Sequence, residues 1–321
     1  MNSSTSSFRT ELRVLAVVLV AWTAAESFFP LMGTRFSRDL REIGGLHRKV
    51  RQGCATEDLS ALVLGNSLSL HGFDRAVIQA AAPAGFGVPV KFTFVAFEGA
   101  FMTETFRIYK HYVEPTPEPP KVLIVPFAQT GLADQSGVEI ERMVYHCDWS
   151  DVHEVLKDEV GLGQLCEFLH CYLSQAFANR FRVRQFVFER LLPDYRESEI
   201  RLRSANRPPA AGSSAKRAWT YDKLDRMLDL CSRRGIRVAI LAMPIQSHYD
   251  VPPQVLDIIA RYDMDLLDMR DTPGLDAGKF SDATHLNPAG AEVFSAIFVD
   301  RFARYLAARK LNGKRNLATV Q

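Results

Sequence analysis

The chain has 321 residues, a length that allows one large domain or two ordinary ones. Hydrophobic residues make up 47% and charged residues 24%, enough for a buried core. With 39 basic against 37 acidic residues, the net charge of +2 gives no footing for nucleic-acid binding. The five cysteines are scattered and form no C-x-x-C pair, which argues against a structural zinc site; no disulfide is assigned.

Residues 1–13 are mostly polar and read as a disordered N-terminus. Val14 to Ala25 carries no charge, and the apolar character continues to Met32 with the single acid Glu26. Residues 14–32 are just long enough to cross a bilayer, and Arg9 and Arg13 precede them. Three readings stand: a membrane anchor, which is preferred, a cleaved signal segment, or a buried or interfacial helix. Arg35, Arg38, Arg41, Arg48, Lys49 and Arg51 follow the segment, and the positive-inside rule alone puts that flank in the cytoplasm. Large domains translocate with less regard to charge, so export of the downstream domain is expected. Glu26 either meets another membrane protein or marks the membrane surface.

Residues 33–59 read as a helix or linker. Ala61–Leu64 is a short apolar run ending at Gly65, the pattern of a fully buried strand. Gly65 is expected to supply unusual backbone angles for a sharp turn. Ser67 then lies just past the strand, where ligands bind in open α/β sheets. It is a candidate nucleophile whose own N–H can help hold an oxyanion. The alternative is a serine that only caps a helix beginning at Leu68.

Further on, Arg75–Ala82 reads as a helix closed by a Pro83–Gly87 turn, and Val90–Phe97 as a strand ending at Glu98-Gly99. Met102–Tyr112 is helical in pattern, and Lys121–Phe127 is another buried strand. This alternation argues for β-α-β units and a parallel sheet. Residues 139–203 depart from it. Leu165, Phe168, Leu169, Tyr172, Leu173 and Phe177 have helical spacing, and Arg180–Arg190 is basic. The region reads as a helical insertion serving as lid or interaction surface, its aromatic stripe as core.

Arg207–Ser214 reads as a flexible loop. The helix Thr220–Arg234, strand Ile236–Met243, helix Val255–Tyr262 and strand Met264–Met269 restore the α/β rhythm. A closing helix begins near Pro288, with Asn287 as its N-cap, and residues 311–321 form a tail. His285 therefore lies in the loop just before this helix. In a tight turn the Asp282 carboxylate can reach the imidazole, fix its tautomer and support its charge. The alternative is an Asp/His turn that only caps the helix.

Together, the strand-Gly-Asn-Ser block, the strand ending in Glu98-Gly99 and the Asp282-x-x-His285 block resemble the SGNH hydrolase superfamily, also called GDSL-type esterases. The resemblance covers roughly residues 60–130 and 217–306. It implies a three-layer α/β/α sandwich with a central parallel, flavodoxin-like sheet, here over residues 60–310. It makes Ser67 the nucleophile, His285 the base and Asp282 its orienter. It places the N–H groups of Ser67 and Gly99 in the oxyanion hole, with no cofactor and no metal. Asn66 stands where the family has aspartate. The Gly-x-Asn-Asp block is absent after Lys121–Val125, and Gln129 is a candidate replacement donor.

The membrane segment and insertion resemble membrane-anchored SGNH proteins of bacterial polymer modification, such as alginate O-acetylation and teichoic-acid D-alanylation. That narrower resemblance implies a single-pass inner-membrane protein with its domain outside the cytoplasm. Its substrates would be acyl, chiefly acetyl, esters of a cell-surface polysaccharide, and a multispanning membrane acyltransferase would stand beside it. A non-catalytic SGNH-fold binding or assembly subunit is the second reading. A nucleotide-binding domain is disfavoured, since no G-x-G-x-x-G or Walker sequence follows a strand. His71 lies near Ser67 but is not taken as a second base, and His248 and Asp250 are expected at the surface.

Overall fold

Five short segments form one parallel sheet in the order β2-β1-β3-β4-β5: Leu59–Gly65 (β1), Val90–Ala96 (β2), Val122–Phe127 (β3), Arg237–Ala242 (β4) and Asp265–Asp268 (β5). This computed structural model describes residues 4–82, 85–134, 140–157, 162–195, 197–198 and 219–311. The described residues fall into two compact units, one drawn from 1–45 and 140–217, the other from 46–139 and 218–321. The Arg207–Ser214 loop, Pro83-Ala84 and the tail beyond Leu311 lie outside the described residues.

The sheet belongs to the second unit. Its strand order is that of flavodoxin-like doubly wound folds, with the reversal between β1 and β3. Successive residues of a strand face opposite sides, yet Ala61, Leu62, Val63 and Leu64 are all buried, so both faces are covered. Ala61, Val63, Val122, Ile124, Ala239 and Leu241 share one core with the long closing helix. The other face meets Met102–Ile108 (α5), Asp222–Arg233 (α11) and Pro253–Arg261 (α12), whose inward residues include Phe106, Leu224, Leu228 and Val255. This is the three-layer α/β/α arrangement that the SGNH resemblance implies.

The closing helix is Pro288–Ala308 (α13), capped by the Asn287 side chain on the Gly290 N–H, as Asn-Pro predicts. Phe294, Phe298 and Phe302 recur every fourth residue, so they line one face. They stack on one another at centroid spacings of 6.3 and 5.3 Å. The same rings meet Phe73, Phe92 and Phe86 edge-on at 5.1–6.3 Å. Phe73 follows Ser67–Gly72 (α3), and the Ser295 hydroxyl accepts the Asp74 N–H at 2.7 Å. The last helix is thereby fixed against the segment that follows the first strand.

One sequence expectation changes, and two others gain detail. Residues 4–13 are helical, because Ser4–Phe36 is one continuous helix (α1) and extending a formed helix is easier than starting one. The interval 33–59 is largely the helix Arg38–Cys54 (α2), which buries Leu46, Val50 and Cys54. Its Gly53 abuts β2, since a Cβ there would lie 2.0 Å from Thr93 Oγ1. In the first unit, the described residues 140–198 hold helices and no strand of the sheet. They include Ile140–Met143 (α6), Val152–Lys157 (α7), Leu162–Leu173 (α8), Gln175–Ala178 (α9) and Arg180–Leu191 (α10). In the predicted stripe Phe168 is buried, but Leu173 is 71% exposed.

The insertion leaves and returns at one point of the second unit. The Asp134 carboxylate accepts N–H bonds from Asp222 at 2.7 Å and Lys223 at 3.3 Å, and the Thr220 hydroxyl at 3.1 Å. It therefore caps α11 from across the excursion, which no local sequence signal announces.

Phe298 is the centre of the aromatic ladder and is fully buried. Phe298→Ala is expected to cost about 3–5 kcal/mol, the range for a large aromatic removed from a core. Urea denaturation reads it, and a cost under about 1 kcal/mol would show that the ladder does not carry the fold.

Candidate active site

The site grows from the carboxyl end of β1, at the point where the strand order reverses. Gly65 ends the strand, but it is not among the positive-φ residues. Its requirement is space. A Cβ at Gly65 would lie 2.2 Å from Ser69 Oγ and 3.2 Å from Pro126 Cδ. Helix α3 begins at Ser67, not Leu68, and Asn66 is the cap: its Oδ1 accepts the Leu68 N–H at 3.0 Å. Ser67 is thus the first helical residue, and its N–H has no intrahelical acceptor.

Asp282 builds the opposite wall. Its Oδ1 accepts the N–H groups of Thr284 and His285, each at 2.8 Å, and the Thr284 hydroxyl at 3.1 Å. Its Oδ2 lies 2.8 Å from His285 Nδ1. On the far side of the ring, His285 Nε2 lies 2.8 Å from Ser67 Oγ. The structure therefore brings Ser67, His285 and Asp282 into one hydrogen-bonded line across 218 residues of sequence. Burial pushes the Asp282 carboxyl up. The bonds from the His285 ring, the two backbone N–H groups and the Thr284 hydroxyl outweigh this and hold it well below the usual carboxylate range. Asp282 is an anion at neutral pH, which favours the tautomer with the proton on Nδ1 and the lone pair on Nε2 facing Ser67.

The loop between β5 and α13 is pinned at several points. Ser281 N–H donates to the His285 carbonyl at 2.8 Å, and Asn287 N–H donates to Lys279 O at 2.9 Å. The Gln246 N–H, after β4, donates to Ala283 O at 3.0 Å. Gly290 lets α13 approach, since a Cβ there would sit 2.2 Å from Lys279 O.

The second-block residues lie in a turn tied to β1. Phe97 N–H donates to Gly65 O at 3.3 Å, and Ala100 N–H closes the turn on Phe97 O at 3.3 Å. Gly99 takes φ +65°, which explains glycine there. Gln129 lies two residues after β3. Its backbone is left-handed, with φ +48°, and its side-chain nitrogen is directed to Ser247 Oγ at 3.4 Å. His248 and Asp250 are exposed and face each other at 3.4 Å.

One neighbouring pair escaped the sequence reading. His71, four residues after Ser67 on α3, sets its ring edge against the His285 ring at 5.2 Å. Its Nε2 lies 3.0 Å from Glu98 Oε1. The i, i+4 spacing from Ser67 was the available signal; the partner Glu98 depends on the β1–β2 pairing. Tyr249 was also missed. Its buried hydroxyl donates to Met243 O at 2.8 Å, and Phe127 O lies 3.3 Å away, bracing the ends of β3 and β4.

No protein-family profile and no curated protein sequence matches the chain. Solved structures similar to it include an acetylxylan esterase, Axe2, from Geobacillus stearothermophilus, at 9% identity and TM-score 0.40, over 78% of this chain and 96% of that one. A lipase/acylhydrolase from Enterococcus faecalis aligns at 11% identity and TM-score 0.37, over 78% and 95%. An alpha/beta hydrolase, LAE5, from the metagenome of Lake Arreo, Spain, aligns at 11% identity and TM-score 0.39, over 79% and 96%. Those names describe those proteins, and at such distances they are no evidence for a shared substrate.

The close approach at Gly65 gives a test of the site's geometry. Gly65→Ala is expected to destabilise by about 1–3 kcal/mol, as overpacking does. Ser69 Oγ is buried without a hydrogen-bond partner, so Ser69→Ala alone is expected to be neutral or stabilising. The double variant should recover more than half the loss, because the obstructing oxygen is gone. Strict additivity of the two changes in thermal melts would show that Ser69 is not what Gly65 accommodates.

Proposed function

We propose that the chain is an SGNH-type serine ester hydrolase or O-acyltransferase, tethered to a membrane by its N-terminal helix. The observation that carries this is the 2.8 Å approach of His285 Nε2 to Ser67 Oγ, with Asp282 at 2.8 Å from Nδ1. A serine hydroxyl is a weak nucleophile until a base takes its proton.

In this reading the Ser67 hydroxyl donates to the Nε2 lone pair. As Oγ attacks an acyl carbonyl, its proton passes to Nε2, and the imidazolium is held by the Asp282 anion. The carbonyl oxygen becomes an oxyanion, received by the N–H groups of Ser67 and Gly99. The ester C–O bond then breaks, and the departing alkoxide takes the proton from Nε2. An acyl-Ser67 remains. Water, or a sugar hydroxyl, gives its proton to Nε2 and attacks this ester; the bond from Oγ to the acyl carbon breaks, Oγ takes the proton back from Nε2, and Ser67 is released. Gln129 stands as the proposed third donor in place of the family's asparagine, and its side-chain nitrogen lies 3.4 Å from Ser247 Oγ. A lost donor of this kind typically lowers turnover by ~10²–10³.

Cell-surface polysaccharide carrying acetyl esters is the proposed substrate class, on the narrower resemblance, with a multispanning acyltransferase as the proposed partner. Among the described residues, one helix is long and apolar enough to cross a membrane, Thr10–Phe29 within α1. The proposed topology is a single pass with the sheet domain outside the cytoplasm. The absence of a Gly-x-Asn-Asp block after β3 favours a second reading, a non-catalytic subunit that keeps the fold.

Two measurements separate these readings. A fluorophosphonate is expected to add to Ser67, seen by intact mass. Ser67→Ala and His285→Ala should each lower ester turnover by at least ~10³, with unchanged melting. Unlabelled Ser67 with full in vivo function in both variants would establish the non-catalytic reading. For topology, a reporter active only in the periplasm, fused after Gln321, is expected to be active. Activity of a cytoplasm-only reporter instead would reverse the orientation.

A further inference from the structure

The first unit joins the apolar helix to the insertion through one carboxylate. Glu26 accepts the Ser174 hydroxyl at 2.5 Å and the Gln175 N–H at 2.9 Å. Ser174 is the N-cap of α9 and accepts the Phe177 N–H at 3.0 Å. The acid inside the apolar segment is therefore satisfied by this chain's own insertion, and needs no other membrane protein. Glu26 lies one turn before Phe29, where the apolar stretch ends. In a spanning helix that places it at the edge of the hydrocarbon. Both α9 and α10 pack on α1, and α10 begins two residues after α9.

Helix α10 has an unusual surface for a water-facing helix. None of its residues is buried. Phe181, Arg184, Phe188 and Leu191 recur at i, i+3, i+7 and i+10, so they share one face. Phe181 is 44% exposed, Phe188 36% and Leu191 69%, with Leu192 beyond them at 49%. Arginine lies among the rings: the Arg184 guanidinium is 4.8 Å from the Phe181 ring, and that of Arg190 is 3.5 Å from the Phe186 ring. Arg180 is ion-paired with Glu141 and Glu167, and Arg182 donates to the Glu141 carbonyl, so Arg184 and Arg190 carry the positive charge this helix offers, beside its single acid Glu189.

We propose that α10 is a membrane-interface helix that sits on an anionic phospholipid surface. Phe181, Phe188 and Leu191 enter among the acyl chain ends, and Arg184 and Arg190 reach the lipid phosphates. Two observations select this occupant. The face is continuous with the helix read as the membrane span, through the Glu26 clasp. Its charge is basic where a lipid headgroup layer is acidic, and arginine stems can lie along apolar surface while their heads stay polar. The proposal rests on the membrane-anchor reading of Thr10–Phe29, and its test separates the two.

The full-length chain is reconstituted into vesicles with p-benzoylphenylalanine in place of Phe188, or in place of Trp22 within the span. One set of vesicles is phosphatidylcholine alone, and another contains phosphatidylglycerol. After irradiation, lipid adducts are read by mass at each position. Adducts are expected at both positions, with the yield at 188 at least threefold higher when phosphatidylglycerol is present. Arg184→Glu with Arg190→Glu should remove that difference while leaving the yield at 22 and the melting temperature unchanged. Adducts at 22 and none at 188 would overturn the proposal and leave the anchor standing. No adduct at either position would overturn the anchor reading and the proposal with it. A cross-linked dimer through position 188 would instead assign this face to a second copy of the chain.

Discussion

The aromatic packing of α13 on the segment after β1 is the constraint on which the site depends. Strand β5 lies three strands from β1, about 14 Å across the sheet. The loop leaving β5 has no reason of its own to return to β1. Phe294, Phe298 and Phe302 supply one, because their partners Phe73, Phe86 and Phe92 lie on the β1–β2 side. Helix α13 must therefore start near α3, and its preceding loop is carried there with it. The partly buried bond from Asp74 N–H to Ser295 Oγ sets the register of that docking. A shift of α13 by one turn would move the loop by about 5.4 Å and separate Ser67 from His285.

Within the loop, Asp282 does two things with two oxygens. Oδ1 closes the turn on the N–H groups of Thr284 and His285, and Oδ2 meets the imidazole. This accounts for the spacing of three residues. A side chain that bonds backbone two and three residues ahead is the local motif aspartate favours, and it delivers the ring of the third residue to the free oxygen. Capping of the helix falls to Asn287, which the sequence shows as a separate residue. The Asp282 turn therefore has a geometric consequence beyond helix capping.

The sheet was legible because its strands are short, continuous apolar runs, and a parallel sheet buries both faces of each. The start of α13 was legible because Asn-Pro is a local signal. Ser67, Asp282 and His285 stood out only in combination, since each short string has an ordinary structural use. The features that escaped the sequence depend on partners distant along the chain or on how neighbouring segments pack. Gly65 is small because Ser69 and Pro126 crowd it, and not for its backbone angles. Asp134 caps a helix 88 residues away, and Glu26 caps one 149 residues away. The helicity of residues 4–13 was hidden for another reason: composition weighs each residue locally, whereas a helix already formed recruits polar neighbours. Gln129 was picked by residue type alone, and neither its left-handed backbone nor the 3.4 Å approach of its side-chain nitrogen to Ser247 Oγ has a local sequence signal.

The openness of the site bears on the fate of an acyl-Ser67. The side chain of Asp282 is 55% exposed, and those of His71 and Glu98 are 48% and 57% exposed. In the proposed reaction, an ester on Ser67 beside such groups is within reach of water. Transfer to a sugar hydroxyl requires the acceptor to outcompete water, and effective molarities of ~10⁵ M or more are available to a well-held nucleophile. That holding has to come from groups bordering His285 on its open side. The His71–Glu98 pair borders His285, with the His71 ring 5.2 Å from the His285 ring. On the proposed mechanism, the choice between hydrolysis and transfer lies with how an acceptor is held, and the Ser67–His285–Asp282 line serves either outcome.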